Sequence, residues 1–192
     1  MRIISGTARG AQLATFSGAE IRPTSDRVRG AIFSMLTSRI GSFNQLKVLD
    51  IFAGTGAMGL EALSRSAATV IFIDNGRQAR KLIESNCQRC KLERNAQIIT
   101  ENSQSALPRL HGQQFDVIFM DPPYNKDLIP EIIQLIEQYD LLANNGIICA
   151  EEDKKAVVPE QIGTITQLDQ RNYGNTAIYL FNKVTPRLLS EG

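Results

Sequence analysis

The sequence of 192 residues has no tryptophan, one histidine and three cysteines. It also has no apolar run near the roughly 18 to 20 residues of a membrane-spanning helix, so we expect no membrane partner. Three cysteines make no even-numbered disulfide framework, and the first residues lack the apolar stretch of a signal peptide. These absences argue against a secreted or membrane protein and favour a cytoplasmic location.

Residues that bind metals are scarce as well. Cys87 and Cys90 form a C-x-x-C pair, but they lie in a stretch whose apolar spacing predicts an amphipathic helix. No second cysteine pair accompanies them, and His111 stands in a different, polar segment. Because a structural zinc ion needs four such ligands, we interpret the two cysteines as packed free thiols and predict no metal site.

Charge is nearly balanced, with a formal net charge of +1 at pH 7, but it is unevenly distributed. Residues 1–44 contain six arginines and two acidic residues, a balance of +4, so the remaining 15 basic and 18 acidic residues give −3. A basic N-terminal segment favours a negatively charged partner such as nucleic acid, whereas the simpler alternative is a solvated arginine face. The arginines that we expect to contact RNA are Arg2, Arg9, Arg22, Arg27 and Arg29. Arg27 and Arg29 open a predicted amphipathic helix, so they could instead pair with acids of the core or border a cofactor.

From residue 47 onward, the apolar pattern alternates between strands and helices. Short apolar runs predict five parallel strands, at residues 47–52, 69–74, 96–100, 115–121 and 146–152. Two further β-like runs follow a connection that contains Pro159. This order predicts an α/β fold, a Rossmann-like doubly wound sheet of seven strands that is mostly parallel and ends in a C-terminal antiparallel hairpin.

The sequence divides into two parts of different character. We assign the predicted sheet to a domain of residues 45–192. Residues 1–44 form an extension in which RIISGT and AQLATF predict a small β-hairpin. The stretch that begins at Pro23 has helical apolar spacing and predicts one helix before the sheet begins.

Ligands of such sheets bind beyond the carboxyl ends of the strands, where the strand order reverses. Two stretches with chemical character fall at that edge, residues 50–59 after the first strand and residues 121–124 after the fourth. The first contains G-x-G-x-x-G at residues 54–59, and Asp74 ends the second strand, which together match the fingerprint of a dinucleotide site. An NAD-type oxidoreductase is therefore a serious alternative.

Asp50 argues against a dinucleotide, because a carboxylate at the mouth of the loop repels a pyrophosphate. S-adenosylmethionine has no phosphate but carries an ammonium and a sulfonium, so we predict it as the cofactor. Asp50 is then near the ammonium, Asp74 accepts from the ribose hydroxyls, and Asn102 either contacts the adenine edge or caps the next helix. The predicted cofactor-binding residues are Asp50, Phe52, Ala53, Gly54, Thr55, Gly56, Asp74, Asn75, Asn102 and Ser103.

The fourth strand ends in Asp121-Pro122-Pro123-Tyr124, because prolines have no N–H to donate to a sheet. Methyl transfer to an exocyclic amine needs acceptors that orient the two N–H groups and point the nitrogen lone pair at the methyl group. The Asp121 carboxylate and the Pro122 carbonyl are two such acceptors, Pro123 helps to fix the backbone, and Tyr124 offers a flat surface for an unstacked base. We predict these four residues as the catalytic group, with a proline-capped turn as the alternative.

These motifs resemble those of amino-methyltransferases, in which a D/N-P-P-Y/F sequence accepts the amine of a nucleic-acid base or of a protein glutamine. More narrowly, RPTSDRVR, DIFAGTGAMGLEALSR, DPPY and YGNT together resemble the bacterial 16S rRNA (guanine(966)-N(2))-methyltransferase family. The opening RIISGTARG also resembles the N-terminal hairpin of that family. Two departures are Met58, where the family often has leucine, and Ser66, where it often has glycine.

The resemblance implies a class I Rossmann-like methyltransferase that uses S-adenosylmethionine to methylate the N2 amine of a guanine in 16S rRNA. It further implies guanine 966 as the target and a partly assembled 30S subunit as the substrate. The residues by themselves leave the amine open, because adenine, cytosine, guanine and glutamine all carry one. The N-terminal arginines favour nucleic acid over protein, and the short chain leaves no room for the target-recognition domain of a sequence-specific DNA enzyme.

Overall fold

The computed structural model describes residues 1–16, 25–123 and 127–183. Its centre is a single sheet of eight strands with the order β3-β2-β1-β4-β5-β8-β7-β6. The strands are β1 (Lys47–Ile51), β2 (Thr69–Ile73), β3 (Ala96–Ile99), β4 (Phe115–Met120), β5 (Leu142–Asp153), β6 (Gln161–Ile162), β7 (Ile165–Tyr173) and β8 (Thr176–Lys183).

The direction of the chain across the sheet reverses between β1 and β4. Strands β1 to β3 follow one another outward on one side, whereas β4 and β5 follow one another outward on the other. These five strands are parallel, and the β1–β4 pair aligns Ile51 with Met120. The segments that leave β1 and β4 therefore emerge side by side, at the point where ligands of doubly wound sheets bind.

Helices cover both faces of the sheet, as the doubly wound prediction requires. The helices are α1 (Asp26–Ile40), α2 (Ala57–Ser64), α3 (Arg77–Cys90), α4 (Ser103–Ala106) and α5 (Leu128–Gln138). Side chains of α4 and α5 pack into the core cluster on one face, and those of α1, α2 and α3 pack into the cluster on the other. Among the described residues, no helix is long and apolar enough to cross a membrane.

The sheet confirms the predicted Rossmann-like α/β class and the C-terminal antiparallel hairpin, with one additional strand. The extra strand β6 has two residues and pairs antiparallel with β7. Such a short strand carries no apolar period, so the sequence pattern gave no signal for it. The two cysteines of the C-x-x-C pair are free and buried in α3, on the side that faces the sheet.

The two segments of the predicted N-terminal hairpin pair antiparallel, with one bridge between Arg2 and Gln12 and a backbone hydrogen bond of 3.0 Å from Ile3 to Ala11. The hairpin is short because of its contact with α2. The buried Glu61 carboxylate accepts hydrogen bonds from the backbone N–H groups of Ile4 (2.7 Å) and Ser5 (3.0 Å). These donors are therefore satisfied by a helix side chain, so the antiparallel pairing does not extend beyond Ile3.

For Arg29, the structure supports the alternative that the residue pairs with acids of the core, and not a contact with RNA. Its side chain is fully buried, 0% exposed, and donates to the carbonyl of Arg2 and, at 2.9 Å, to Asp26. Its Nε also lies 3.9 Å from Glu61, which is equally buried. A phosphate cannot reach this guanidinium, and Arg29 joins α1, α2 and the N-terminal segment from within the core.

Replacing Arg29 should therefore destabilise the protein, whereas replacing its exposed neighbour Arg27 should not. Removing one partner of a buried ion pair costs about 3 to 5 kcal/mol, so Arg29→Ala should lower the free energy of unfolding by about that amount. Arg27→Ala should stay within about 0.5 kcal/mol of the original protein. Urea denaturation measures both. Equal midpoints for the two variants would show that the buried network contributes nothing.

Candidate active site

The loop between β1 and α2 has a backbone that few residue types adopt. Gly54 and Gly56 have φ angles of 55° and 76°, which glycine reaches without steric cost. Phe52 also has a positive φ of 63°, an unusual conformation for an aromatic residue. Such strain in a non-glycine residue is typical of binding sites, where the surrounding structure over-determines the backbone.

Gly59 is required for a different reason, the close approach of α2 to the sheet. A Cβ at this position would lie 2.3 Å from Cε1 of Phe72 and 2.7 Å from Cγ1 of Val70, both in β2. The N–H of Gly59 donates to Asp50 Oδ2 at 2.9 Å. No side chain of the N-cap residue caps α2, so the Asp50 carboxylate supplies the missing acceptor at this helix N-terminus.

Asp50 is consequently a buried acid, only 3% exposed, that lies behind the glycine loop. The pKa of this carboxyl is raised to about 7, because burial and, to a smaller extent, the charge of Asp74 outweigh the lowering by the Gly59 hydrogen bond. From the sequence, Asp50 is expected to be a carboxylate at the mouth of the loop. The structure instead gives it a role in helix capping, with a charge that burial disfavours at neutral pH.

A cavity of about 680 Å³ opens above the carboxyl ends of β1, β2 and β4. Nine of the predicted site residues line it: Phe52, Gly54, Asp74, Asn75, Asn102, Ser103, Asp121, Pro122 and Pro123. The cavity is also lined by eight residues that were not predicted from the sequence: Phe16, Ile73, Gly76, Gln78, Ala79, Glu101, Gln104 and Leu128. The predicted residues Asp50, Ala53, Thr55 and Gly56 lie behind this lining, in the fold of the loop.

Asp74 is a hydrogen-bond acceptor in the cavity whose orientation is fixed by two backbone N–H groups. Its Oδ2 accepts from the N–H of Gly54 at 2.9 Å, and its Oδ1 accepts from the N–H of Gly76 at 2.8 Å. These two bonds fix the carboxylate plane across the β1 and β2 loops. Each oxygen retains a second lone pair, so the pair can accept two neighbouring hydroxyl groups such as those of a ribose.

Asn102 confirms the alternative role that the sequence left open. Its Oδ1 accepts from the N–H of Ser105 at 2.8 Å and caps α4. The residue also lines the cavity, so its amide N–H₂ is the group through which it can contact a ligand. Ser103 begins the helix and donates to Gln104 Oε1 at 3.1 Å.

The Asp121-Pro122-Pro123 segment follows β4 directly and borders the cavity. Asp121 opens onto the cavity but is enclosed by protein on its other sides, and this desolvation raises the pKa of its carboxyl well above the usual range. The charges of Glu151, Asp50 and Glu152 raise the pKa further. Tyr124 lies outside the described residues. No group of three or more metal-ligating side chains suited to an ion occurs in the described parts of the chain.

Asn86 ties the N-terminal segment to this site, a link without a sequence motif. This buried α3 residue accepts from the N–H of Ala14 at 2.7 Å and donates to the Ala14 carbonyl at 3.0 Å. It also donates to the carbonyl of Thr55 at 2.9 Å, inside the glycine loop. Two residues further on, Phe16 forms part of the cavity wall beside Gly54.

Comparison with known proteins agrees with this geometry. The family described as "Conserved hypothetical protein 95" matches residues 1–182. Ribosomal RNA small subunit methyltransferase D of Haemophilus influenzae is 36% identical over 165 residues, which cover 83% of each chain. The chain belongs to this methyltransferase family. A Bacillus subtilis member, described as a candidate rRNA methyltransferase YlbH, is 34% identical and covers 95% of this chain and 99% of its own.

Solved structures of the family have the same fold. The yhhF protein of Escherichia coli, described as a candidate methyltransferase, superposes with a TM-score of 0.83 at 33% identity. The match covers 95% of this chain and 97% of that one, so it includes the N-terminal segment as well as the sheet. The Rossmann-like methyltransferase fold predicted from the motifs is confirmed.

Proposed function

We propose that this protein transfers a methyl group from S-adenosylmethionine to the N2 amine of a guanine in 16S rRNA. The observation that carries the proposal is that Asp121 and Pro122 line the same cavity as Gly54 and Asp74. An amine acceptor and an adenosyl site therefore share one space. The family adds the substrate class, because its members are described as ribosomal RNA small subunit methyltransferases. Guanine 966 and an assembling 30S subunit complete the proposal.

Asp121 and Pro122 orient the amine. The carboxylate and the carbonyl each accept one N–H of the exocyclic nitrogen, which draws its lone pair out of the ring. When bound, the cofactor supplies a methyl group on a positively charged sulfur. Positive charge develops on the nitrogen as the bond to carbon forms, and the Asp121 carboxylate stabilises that charge at short range. Tyr124 is proposed as the stacking surface for the base.

The cofactor fits the groups that line the cavity. In this proposal Asp74 accepts from the two ribose hydroxyls, and Asn102 and Asn75 offer their amides to the adenine edge, which is supported by the position of all three in the cavity lining. Three acids, Asp50, Asp74 and Asp121, lie at or just behind this surface. They favour a ligand with an ammonium and a sulfonium, and they disfavour the pyrophosphate of NAD.

RNA is proposed to bind along the edge of the N-terminal segment. Arg2, Arg9 and Arg27 line a surface cavity of about 350 Å³ between that segment and the start of α1. Arg2 is exposed and lies 3.6 Å from Asp26, a pair that contributes little and can exchange for a phosphate. Arg22 stays a prediction, since it lies outside the described residues, and the buried Arg29 is not part of this surface.

The central test identifies the modified nucleoside. Small-subunit rRNA and partly assembled subunits that lack the methyl group are incubated with methyl-labelled S-adenosylmethionine, and the product is located by nucleoside mass spectrometry. We expect N2-methylguanine at position 966. Asp121→Ala should lower kcat by about a hundredfold or more, while cofactor affinity changes little. Asp121→Asn, which keeps an acceptor oxygen without the charge, should fall between. Label in another base or in protein would overturn the proposal.

Cofactor binding should release protons near neutral pH. The Asp50 pKa of about 7 means that roughly half of this carboxyl is protonated at pH 7 in the free protein. A nearby cation lowers that pKa, so binding should expel about half a proton at pH 7. Calorimetry in buffers of different ionisation enthalpy measures the release.

Asp50→Asn is the matched control, because it keeps the acceptor for Gly59 and removes the titration. Any release from Asp121 persists in this variant, so the difference between the two proteins belongs to Asp50. Proton uptake by the original protein on binding, or an identical release from the variant, would contradict a cation beside Asp50.

Phosphate contacts should appear in the salt dependence of RNA affinity. Each contact to single-stranded RNA adds about 0.7 to the slope of log affinity against log salt. Replacing Arg9 and Arg27 together with glutamine should therefore flatten the slope by about 1.4. Lys47 and Arg94 are also exposed but do not line this surface cavity, so replacing both removes the same charge and should leave the slope unchanged. Equal slopes for both double variants would place the RNA elsewhere.

A further inference from the structure

Glu151 lies beside Asp121 on the same face of the sheet. Strands β4 and β5 are parallel, and Met120 pairs with Ala150, so the next residue on each strand is Asp121 and Glu151. Side chains alternate along a strand, which directs both acids to the face covered by α1 and α2. The backbones of neighbouring strands are about 4.8 Å apart, so the two carboxylates stand within reach of one small ligand edge.

A small second cavity connects these two acids. It has a volume of about 20 Å³ and is lined by Asp50, Asp121 and Glu151 among mostly apolar side chains. This space is too small for a base, so a ring must lie outside it with only its polar edge toward the acids. Asp121 borders both this cavity and the cofactor cavity, whereas Glu151 borders only the small one.

Two neighbouring carboxylates match the hydrogen-bonding edge of guanine better than the edges of the other bases. Guanine presents N1–H directly beside its N2 amine, so its edge offers neighbouring donors to two neighbouring acceptors. Adenine and cytosine present an unprotonated ring nitrogen beside their amines, which a second carboxylate would repel. Desolvation is the largest cause of the raised Asp121 pKa, and the negative charge of Glu151 is the second. A base edge with two N–H donors between the two carboxylates reduces the repulsion between them.

We propose that Glu151 is a specificity-determining residue that accepts the N1–H of the guanine whose N2 amine is held by Asp121. The inference rests on the proposed function and explains how that site selects guanine. Glu151 already has an interaction within the protein, and a carboxylate has about four acceptor positions, so both contacts are compatible. Flipped bases are commonly read by hydrogen bonds to this edge.

The neighbouring acid Glu152 provides a matched control. It is 4% exposed, and its Oε1 accepts from the N–H of Asp153 at 2.8 Å. Because side chains alternate, Glu152 is directed to the opposite face of the sheet from Glu151. Glu152→Gln therefore removes the same charge one residue away, without altering the acceptor that we assign to N1–H.

The test compares guanine with 2-aminopurine at the target position of the RNA substrate. 2-Aminopurine keeps the 2-amine, but its N1 is an acceptor, so Glu151 should disfavour it. For the original protein, we expect kcat/KM to fall by about a hundredfold or more with 2-aminopurine, because a site built for an N–H rejects an analogue that lacks it. Glu151→Gln, whose amide can donate to N1, should lower the guanine-to-2-aminopurine ratio by at least about tenfold.

The outcomes separate this inference from the proposed function. A lowered ratio in Glu151→Gln, with an unchanged ratio in Glu152→Gln and unchanged affinity for S-adenosylmethionine, supports Glu151 as the selector. If Glu151→Gln keeps the original ratio while guanine N2 is methylated normally, the inference is overturned and the proposed function stands. If the original protein does not methylate guanine N2, the proposed function fails and the inference fails with it.

Discussion

The parallel pairing of β1 with β4 is the constraint on which the site depends. It brings the ends of two strands into direct register, at Asp50↔Phe119 and Ile51↔Met120, although the paired residues are 69 positions apart in the chain. The glycine loop and the Asp-Pro-Pro turn then leave the sheet side by side, and one cavity receives both. Neither segment forms this site by itself. A glycine loop without an amine acceptor could bind many kinds of ligand, and a proline turn without the loop has no cofactor beside it.

The pairing of β1 with β4 brings acidic side chains close together at a place where water solvates them poorly. Asp50 and Asp121 are carboxyl groups at the ends of adjacent strands, and Glu151 lies on the next strand. The arginines of the described chain form their ion pairs elsewhere, so burial and mutual repulsion raise the pKa values of Asp50 and Asp121. The cationic cofactor and the donor-rich base edge that we propose would each reduce this repulsion, so the electrostatic cost of the free site would contribute to its selectivity.

Sequence reasoning recovered the parts of the protein that have a local pattern. The apolar periods of the five parallel strands and the glycine spacing placed Gly54, Asp74 and Asp121 around one cleft, and the cavity agrees. It failed where the partner is distant in the chain. For Arg29, the sequence left open a pairing with acids of the core, but it could not identify the buried Glu61, 32 residues further along the chain, as a partner. Asp50 could not be recognised as a helix cap, because its acceptor role appears only when α2 folds back over β1.

Two buried polar residues, Glu61 and Asn86, carry the remaining link between the two predicted parts of the chain. Glu61 holds the backbone of Ile4 and Ser5 on α2, and Asn86 holds Ala14 on α3 and Thr55 in the glycine loop. Each satisfies two or more backbone groups at once, so neither can be removed without leaving buried donors or acceptors unpaired. The segment that carries the proposed RNA arginines is therefore fastened to the loop that carries the proposed cofactor site.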